Sequence, residues 1–111
     1  MNLCSSTVTV YRMADGQIFR RLAEDCFYRY EDVLDSADGC SRFRRDFLLI
    51  QPGQEELLPG DRIYDGVGPE LVEDQWDHFL PETVPGLSVA AYATARYVGE
   101  NFHHWEAGRS N

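Results

Sequence analysis

The chain is 111 residues long, with 43% hydrophobic and 13% aromatic residues and a formal net charge of −9 at pH 7. This length predicts one domain with a modest core, and the sequence has no apolar run long enough to predict a membrane-spanning helix. The N-terminus lacks the basic flank and continuous apolar stretch of a signal peptide, which predicts a chain that stays in the cytosol where it is made.

The negative charge is concentrated in residues 55–85, referred to below as the acidic segment. It holds nine acidic residues and one arginine, whereas the rest of the chain is nearly balanced. Because phosphate contacts need positive charge, the segment argues against nucleic-acid binding at this place. It fits a solvated face, a surface that mimics DNA, or a surface that must not stick to DNA.

In chain order, the first predicted element is a β-hairpin over residues 7–22. "STVTVYRM" alternates in the manner of a strand, and Asp15-Gly16 is a strong signal for a hairpin turn. The next segment, residues 22–36, fits both a helical stripe and an aromatic-rich strand. We favour a strand there because its neighbours are strands.

Further turns divide the middle of the chain. Asp38-Gly39 predicts a second turn, and "RFRRDFLLI" predicts a strand that ends at Pro52-Gly53. Pro59-Gly60 and Asp65-Gly66 predict corners on either side of the short strand "DRIY".

The glycines of "GVG", residues 66–68, could also mark a loop that cradles a phosphate. Such a loop needs a preceding buried strand and a following helix whose N-terminus meets the anion. The flanking residues would instead repel a phosphate, since they are Asp61, Asp65, Glu70, Glu73 and Asp74. We therefore predict tight corners of a small β-structure.

The last third of the chain predicts one short helix and a closing hairpin. "PELVEDQWDHFLP", residues 69–81, has a proline in its first turn and acidic residues near its N-terminus, with Val72, Trp76 and Phe79 or Leu80 on one face. "GLSVAAYATARYV", the turn "GEN" and "FHHWEAG" predict the hairpin. About six strands and one short helix in a loop predict a mainly β fold, a small antiparallel β-barrel or sandwich.

The sequence predicts no enzyme, metal site or cofactor. His78, His103 and His104 have no serine or cysteine in a recognisable nucleophile turn. His103 and His104 are adjacent, so in a regular strand they would point to opposite faces. Glu55-Glu56 and Glu73-Asp74 are interpreted as a solvated face. A small enzyme whose site forms only on folding is the weakest alternative.

The three cysteines, Cys4, Cys26 and Cys40, are odd in number and irregularly spaced. They lack the paired spacing that a zinc site needs. We predict free thiols in a reducing compartment.

Two groups of side chains leave alternatives open. Trp76 and Phe79 are predicted to plug the barrel or cover its end, and the alternative is a partner contact, since tryptophan is enriched in interface hot spots. A local basic patch, Arg42, Arg44 and Arg45, is predicted on a solvated strand edge. Its alternative is a positive rim that faces an acidic neighbouring subunit.

The order of several motifs resembles that of small tailed-phage proteins labelled minor capsid proteins, which lie among the head–tail connector components. These motifs are "TVTVYR…DG", "LLPGDRIYDGVGPE", a short helix, "VPGLSVAAY" and "HHWEAG". In size and β-barrel style the chain also resembles the stopper, or head-closure, proteins of siphophage connectors. The likeness covers roughly residues 7–108 and is sharpest at "PGDRIYDG" (59–66) and "HWEAG" (104–108).

The resemblance implies a virion protein that forms a ring between the portal or adaptor protein and the tail terminator or tail tube protein. Such a subunit does no chemistry, contacts no membrane, and lets DNA pass without specific binding. The charge skew adds the hypothesis that acidic residues face the channel and repel DNA, namely Glu55, Glu56, Glu73, Asp74 and Asp77.

The alternative function is a small acidic phage-encoded inhibitor, similar to an anti-CRISPR protein. Its acidic residues would occupy the DNA-binding groove of a host nucleic-acid enzyme by charge mimicry. Tight 1:1 binding that salt or DNA competes away would favour the inhibitor. Self-assembly, or recruitment by a portal ring, would favour the connector.

Overall fold

The computed structural model describes residues 6–37 and 39–109, with the side chains of residues 35–37 and 40–42 outside this description. The strands of this part of the chain are β1 (Ser6–Ala14), β2 (Gln17–Ala37), β3 (Cys40–Gln51), β4 (Arg62–Asp65), β5 (Leu87–Val89), β6 (Tyr92–Val98) and β7 (Asn101–Arg109). They form one antiparallel sheet in the order β5-β4-β1-β2-β3-β7-β6. The predicted mainly β fold is confirmed. The sheet is not closed into a barrel, and its layout is that of a small sandwich.

The predicted first hairpin is present as β1 and β2. Asp15 and Gly16 connect them with φ angles of 52° and 75°. A two-residue hairpin turn whose twist matches that of the strands needs positive φ at both positions. Local turn chemistry therefore sets the register of the hairpin.

β2 continues as a strand through the ambiguous residues 22–36 and belongs to both halves of the sheet. Its pairing with β1 shifts register between Ser6 and Val8, where β2 has one extra residue. Asp25 lies in this bulge with a φ of 58°. A bulge bends its strand and increases the local twist. From Phe27 onwards β2 pairs with β3 instead.

The bend brings the two halves of the sheet face to face around a shared core. This core takes side chains from both halves and from the loop after β3: Val8, Val10 and Ile63; Phe47, Leu49 and Ala107; and Leu57. Because strand side chains alternate between faces, only every second residue of each strand can enter this core.

The chain crosses between the halves a second time at Ala90 and Ala91. The Ala90 N–H donates to the Asp61 carbonyl and the Ala91 N–H donates to the Gly108 carbonyl, at 2.9 Å each. These two bonds belong to different halves of the sheet, so the predicted strand "GLSVAAYATARYV" is broken into β5 and β6. This break raises the strand number from about six to seven.

The outer part of the β2–β3 hairpin projects beyond its neighbours. β7 pairs with Phe47–Gln51 of β3, so Glu31–Ala37 and Cys40–Asp46 continue outward as a two-stranded element, the β2–β3 ribbon. Of the predicted turn at its tip, Asp38 lies outside the described residues. Gly39 has a φ of 77°, which suits a tight turn.

The helix predicted over residues 69–81 is shorter in the structure. It is a six-residue 3₁₀ helix, Glu73–His78. The Gln75 carboxamide oxygen accepts the N–H of Val72 at 3.0 Å, which fixes the first turn. With three residues per turn, the predicted α-helical stripe does not form. Val72 is exposed, whereas Phe79, just after the helix, is buried.

Candidate interaction surfaces

The "GVG" loop, residues 66–68, is bonded to the protein itself. The Thr9 hydroxyl donates to the Gly66 carbonyl at 2.7 Å and accepts the Gly68 N–H at 2.8 Å. The Gly66 N–H donates to the Thr7 carbonyl at 2.9 Å. Both glycine N–H groups are therefore used within the chain, which leaves neither of them for a phosphate and agrees with a corner.

At Gly68 the backbone of this corner lies directly against the Tyr11 side chain. A Cβ atom there would lie 2.2 Å from the Tyr11 hydroxyl oxygen, and that hydroxyl donates to the Pro69 carbonyl at 2.6 Å. Arg20 donates two hydrogen bonds to the Gly68 carbonyl, at 3.2 and 2.6 Å. Burial raises the pKa of Tyr11, so its hydroxyl stays a donor at neutral pH.

The two aromatic residues proposed as a plug or a partner contact have different surroundings. Phe79 is 6% exposed, with ring centroids 4.8 Å from Tyr11 and 6.4 Å from Tyr64. Trp76 is half-buried under the Arg62 guanidinium, which lies 3.6 Å from the ring centroid. Arg62 also donates to the carbonyls of Trp76 and Phe79. Phe79 therefore lies in a second buried cluster, with Tyr11 and Leu87, and Trp76 offers a partner only part of its surface.

The prediction of a solvated basic edge is wrong for Arg45, which is 6% exposed. Its guanidinium forms an ion pair with Asp32 at 2.6 Å. It also donates to the carbonyls of Val84 and Leu87 at 3.1 and 2.7 Å. The hydrogen bond from Arg45 lowers the pKa of Asp32. Arg45 therefore fastens β3 to the chain around β5.

The other two arginines of the predicted patch do not join Arg45. Arg44 is the next residue along β3, so its side chain lies on the opposite face. It forms an ion pair with Asp46 at 2.6 Å. The side chain of Arg42 lies outside the described residues. The described arginines of this strand thus form no common basic surface.

The five acidic residues proposed to line a channel are all exposed, but they lie in two groups. Glu55 and Glu56 are in the loop after β3, where Arg12 and Arg21 donate to the Glu56 carbonyl at 3.1 and 3.2 Å. Both arginines lie on the face of the sheet that carries Val10, since Val10 pairs with Arg21 and is two residues from Arg12.

The second acidic group, Glu73, Asp74 and Asp77, is carried by the 3₁₀ helix. Arg62 binds two carbonyls at the end of this helix, and Arg62 pairs across the strands with Tyr11. Tyr11 precedes Arg12 in β1, so its side chain lies on the opposite face. The two acidic groups are therefore on opposite faces of the sheet.

The two groups also differ in the charges around them. The carboxylates of Glu55 and Glu56 each have an arginine at 4.0 Å. Within the described part of the chain, Glu73 and Asp74 form no ion pair. Asp77 attracts Arg62 at longer range. The 3₁₀ helix therefore carries the less neutralised acidic surface.

The β2–β3 ribbon carries an apolar pair that faces solvent. Leu34 and Phe43 are direct cross-strand partners and are 69% and 41% exposed. They lie on the same face as Arg45, whose guanidinium is 5.2 Å from the Phe43 ring centroid. The face that packs on the core near the body therefore continues outward as uncovered apolar surface.

The prediction that His103 and His104 point to opposite faces is wrong. Arg96 pairs with His104 while Tyr97 pairs with Phe102, so His103 is an extra residue in a bulge of β7. The two Nδ1 atoms are 2.7 Å apart. Two ordinary polar residues give no sequence signal for a bulge, so sequence analysis could not place them together.

Of the other cysteines and histidines considered from the sequence, Cys26 and His78 are described by the structure, and they lie in different places. Cys26 is buried in the core, whereas Cys4 and the side chain of Cys40 lie outside the described residues. His78 is exposed on the 3₁₀ helix. Within the described ranges, no three His, Cys, Asp or Glu side chains are grouped to hold a metal ion.

Comparison of the chain with models of protein families, with curated proteins and with solved structures found no match. Across residues 6–37 and 39–109, none of the helices has the length and apolar character needed to cross a membrane.

Proposed function

We propose that the chain is a structural subunit of a phage head–tail connector, of the stopper or head-closure type. In this proposal it forms a ring that joins the portal or adaptor protein to the tail. The observation that carries the proposal is the β2–β3 ribbon, which projects from the body and exposes Leu34 and Phe43. A projecting hairpin with an exposed apolar cross-strand pair suits contact with a neighbouring subunit. The resemblance of the motif order supports the same function.

The position of the acidic residues makes the proposal more specific. Glu73 and Asp74 on the 3₁₀ helix are exposed and unneutralised among the described residues. Glu55 and Glu56 lie on the opposite face beside arginines. A ring multiplies the charge of each face, and a negative channel repels the phosphates of passing DNA. We therefore assign the 3₁₀ helix, rather than the loop of Glu55, to the channel wall.

The first test is to count the chain in virus particles. Purified, nuclease-treated virions from cells that carry the gene are analysed by quantitative mass spectrometry, with the portal protein as internal standard. The connector proposal expects about one copy per portal subunit, or half of that, as in a closed ring. Absence from virions, despite expression in the infected cell, would refute it.

Charge reversal tests the channel assignment separately. Glu73→Lys with Asp74→Lys should slow DNA ejection, measured by dye fluorescence as DNA leaves the particle, because lysines attract the phosphates. Glu55→Lys with Glu56→Lys makes the same change of charge on the opposite face and should leave the rate unaltered. Equal rates for the two double variants would contradict the assignment while leaving ring membership intact.

The same exposed acidic helix supports a second candidate function, inhibition of a host nucleic-acid enzyme by charge mimicry. Its carboxylates would bind arginines that normally contact phosphate. This candidate expects a 1:1 complex that DNA or salt dissociates and that Glu73→Lys with Asp74→Lys abolishes. A complex insensitive to both, or none at all with DNA-binding enzymes of the host, argues against it.

A further inference from the structure

A β-bulge places two imidazoles side by side near the end of the β6–β7 hairpin. His103 has no cross-strand partner of its own, because Arg96 pairs with His104 and Tyr97 pairs with Phe102. In a regular strand, neighbouring side chains alternate between faces. A bulge sets two residues against one and removes this alternation. The backbone, rather than a chance rotamer, therefore brings the two rings together.

The facing atoms of the two rings are the same nitrogen of each imidazole. The Nδ1 atoms are 2.7 Å apart, and the ring planes are 82° from parallel. A neutral imidazole carries one proton, so at this distance one Nδ1 donates to the other. The N–H of one Nδ1 is thus directed at the in-plane lone pair of the other, and one proton lies between the two nitrogens.

We propose that His103 and His104 bind one divalent transition-metal ion of the Ni²⁺ or Cu²⁺ class through their Nδ1 atoms. Metal–imidazole bonds of about 2.0–2.1 Å, set at right angles, place two nitrogens about 2.9 Å apart. The observed 2.7 Å is close to this separation. Tetrahedral Zn²⁺ needs about 3.3 Å, whereas tetragonal Ni²⁺ and Cu²⁺ have right-angled ligands and bind imidazole tightly.

The surroundings allow an ion to reach this site. His103 is exposed and His104 is half-buried. Arg96, across the strand from His104, forms an ion pair with Glu106 at 3.3 Å, which offsets its positive charge near the site. On binding, the proton between the rings moves to Nε2 of the ring that held it, so both rings stay neutral. Water takes the remaining coordination positions.

The test is a titration of the full chain with Ni²⁺, followed through the imidazole ring signals of each histidine by NMR. Paramagnetic Ni²⁺ broadens the signals of the groups that bind it. We expect His103 and His104 to broaden together as the ion approaches one per chain, while His78 stays sharp. Broadening of all three over one range, or no broadening of His103 and His104 in large excess of ion, overturns the proposal.

Single substitutions distinguish chelation from two separate weak contacts. A second ligand on the same chain raises affinity by roughly 10²-fold through its high effective concentration. Both His103→Ala and His104→Ala should therefore weaken binding by that factor, and His78→Ala should not change it. If either of the first two variants keeps a site of unaltered affinity, the shared site is disproved. Amide spectra of the variants report that each one is folded.

Discussion

The acidic segment and the β2–β3 ribbon are held in shape by different kinds of bond. The ribbon is a regular ladder, in which backbone groups pair from Glu31 with Asp46 to Ala37 with Cys40. The acidic segment contains only the four residues of β4 and the six-residue 3₁₀ helix as regular elements. Buried carbonyl groups need donors wherever no ladder supplies them. In the acidic segment, arginine side chains from the strands supply many of these donors.

These arginines bind backbone carbonyls along the whole acidic segment. The pairs are Arg12 and Arg21 with Glu56, Arg20 with Gly68, Arg62 with Trp76 and Phe79, and Arg45 with Val84. Within the segment, the buried carboxylate of Asp61 also accepts two hydrogen bonds of 2.7 Å from the Arg12 side chain. The shape of the segment therefore depends on single side chains, and the shape of the ribbon depends on its backbone.

For the acidic segment, removing one of these side chains should have the largest effect. Arg45→Ala removes the hydrogen bonds that the guanidinium donates to the carbonyls of Val84 and Leu87, and we expect it to lower the free energy of unfolding by roughly 2–4 kcal/mol. Arg96→Ala removes a more exposed ion pair, that with Glu106, and should cost no more than about 1 kcal/mol. Urea unfolding measures both. Similar losses in the two variants would mean that carbonyl binding by arginine is unimportant.

A smaller effect is expected from crowding the corner at Gly68. Gly68→Ala places a Cβ against the Tyr11 hydroxyl, which should lower the free energy of unfolding by roughly 1–3 kcal/mol. In a Tyr11→Phe background the hydroxyl is gone, so the same substitution should cost less. A double-mutant cycle measures this coupling. Additive effects would show that the Tyr11 hydroxyl does not limit the space for a side chain at Gly68.

The ribbon should tolerate a change of side chain that the body does not. Leu34→Ser replaces a side chain that is 69% exposed, and it should alter the free energy of unfolding by no more than about 0.5 kcal/mol. Leu49→Ala, in the buried core, is the contrasting variant and should cost about 2–5 kcal/mol. A large loss with Leu34→Ser would show that the apolar pair already serves the isolated chain.

The smallest effect concerns pH. The pKa of Asp32 is lowered from its ordinary value of 3.8 by its hydrogen bond with Arg45. A carboxyl with a lowered pKa stabilises the folded state above its unfolded pKa, and this contribution is lost as pH falls through the folded pKa. Asp32 is 56% exposed, so the effect is modest. Between about pH 5 and about pH 2, urea midpoints should fall more for the natural chain than for Asp32→Asn. Parallel curves would contradict this.

The hairpins were predictable because their signals are local. An aspartyl-glycine pair between alternating stretches defines the turn at Asp15 and Gly16 without help from the rest of the chain. The strand over residues 22–36 was correctly preferred to a helix because its neighbours are strands. Such signals sufficed for the fold class.

Features set by distant contacts were not predictable from the sequence. Residues 69–72 of the expected helix are not helical, and Arg20 and Tyr11 bind the carbonyls of Gly68 and Pro69 at this point. Ala90 looks like any strand residue but lies at a crossing between the halves. Arg45 has the sequence context of a surface residue, and only tertiary structure shows that it is buried.

Sequence analysis predicted which residues form the candidate surfaces, but it did not predict where those residues lie relative to one another. The exposure of Glu55 and Glu73 follows from their charge, but the division of the acidic residues between two faces depends on how the loops fold back over the sheet. The contact between His103 and His104 depends on a β-bulge, and two adjacent polar residues give no sequence signal for a bulge.

One consequence of the 21-residue strand β2 is mechanical. A load applied at the tip of the ribbon travels along a single covalent backbone, past the bulge at Asp25, into the hairpin with β1. Tension along a strand acts on many ladder hydrogen bonds at once rather than opening them one by one. A pull on the ribbon along β2 would therefore load the ladder of β2 with β1 as well as its ladder with β3.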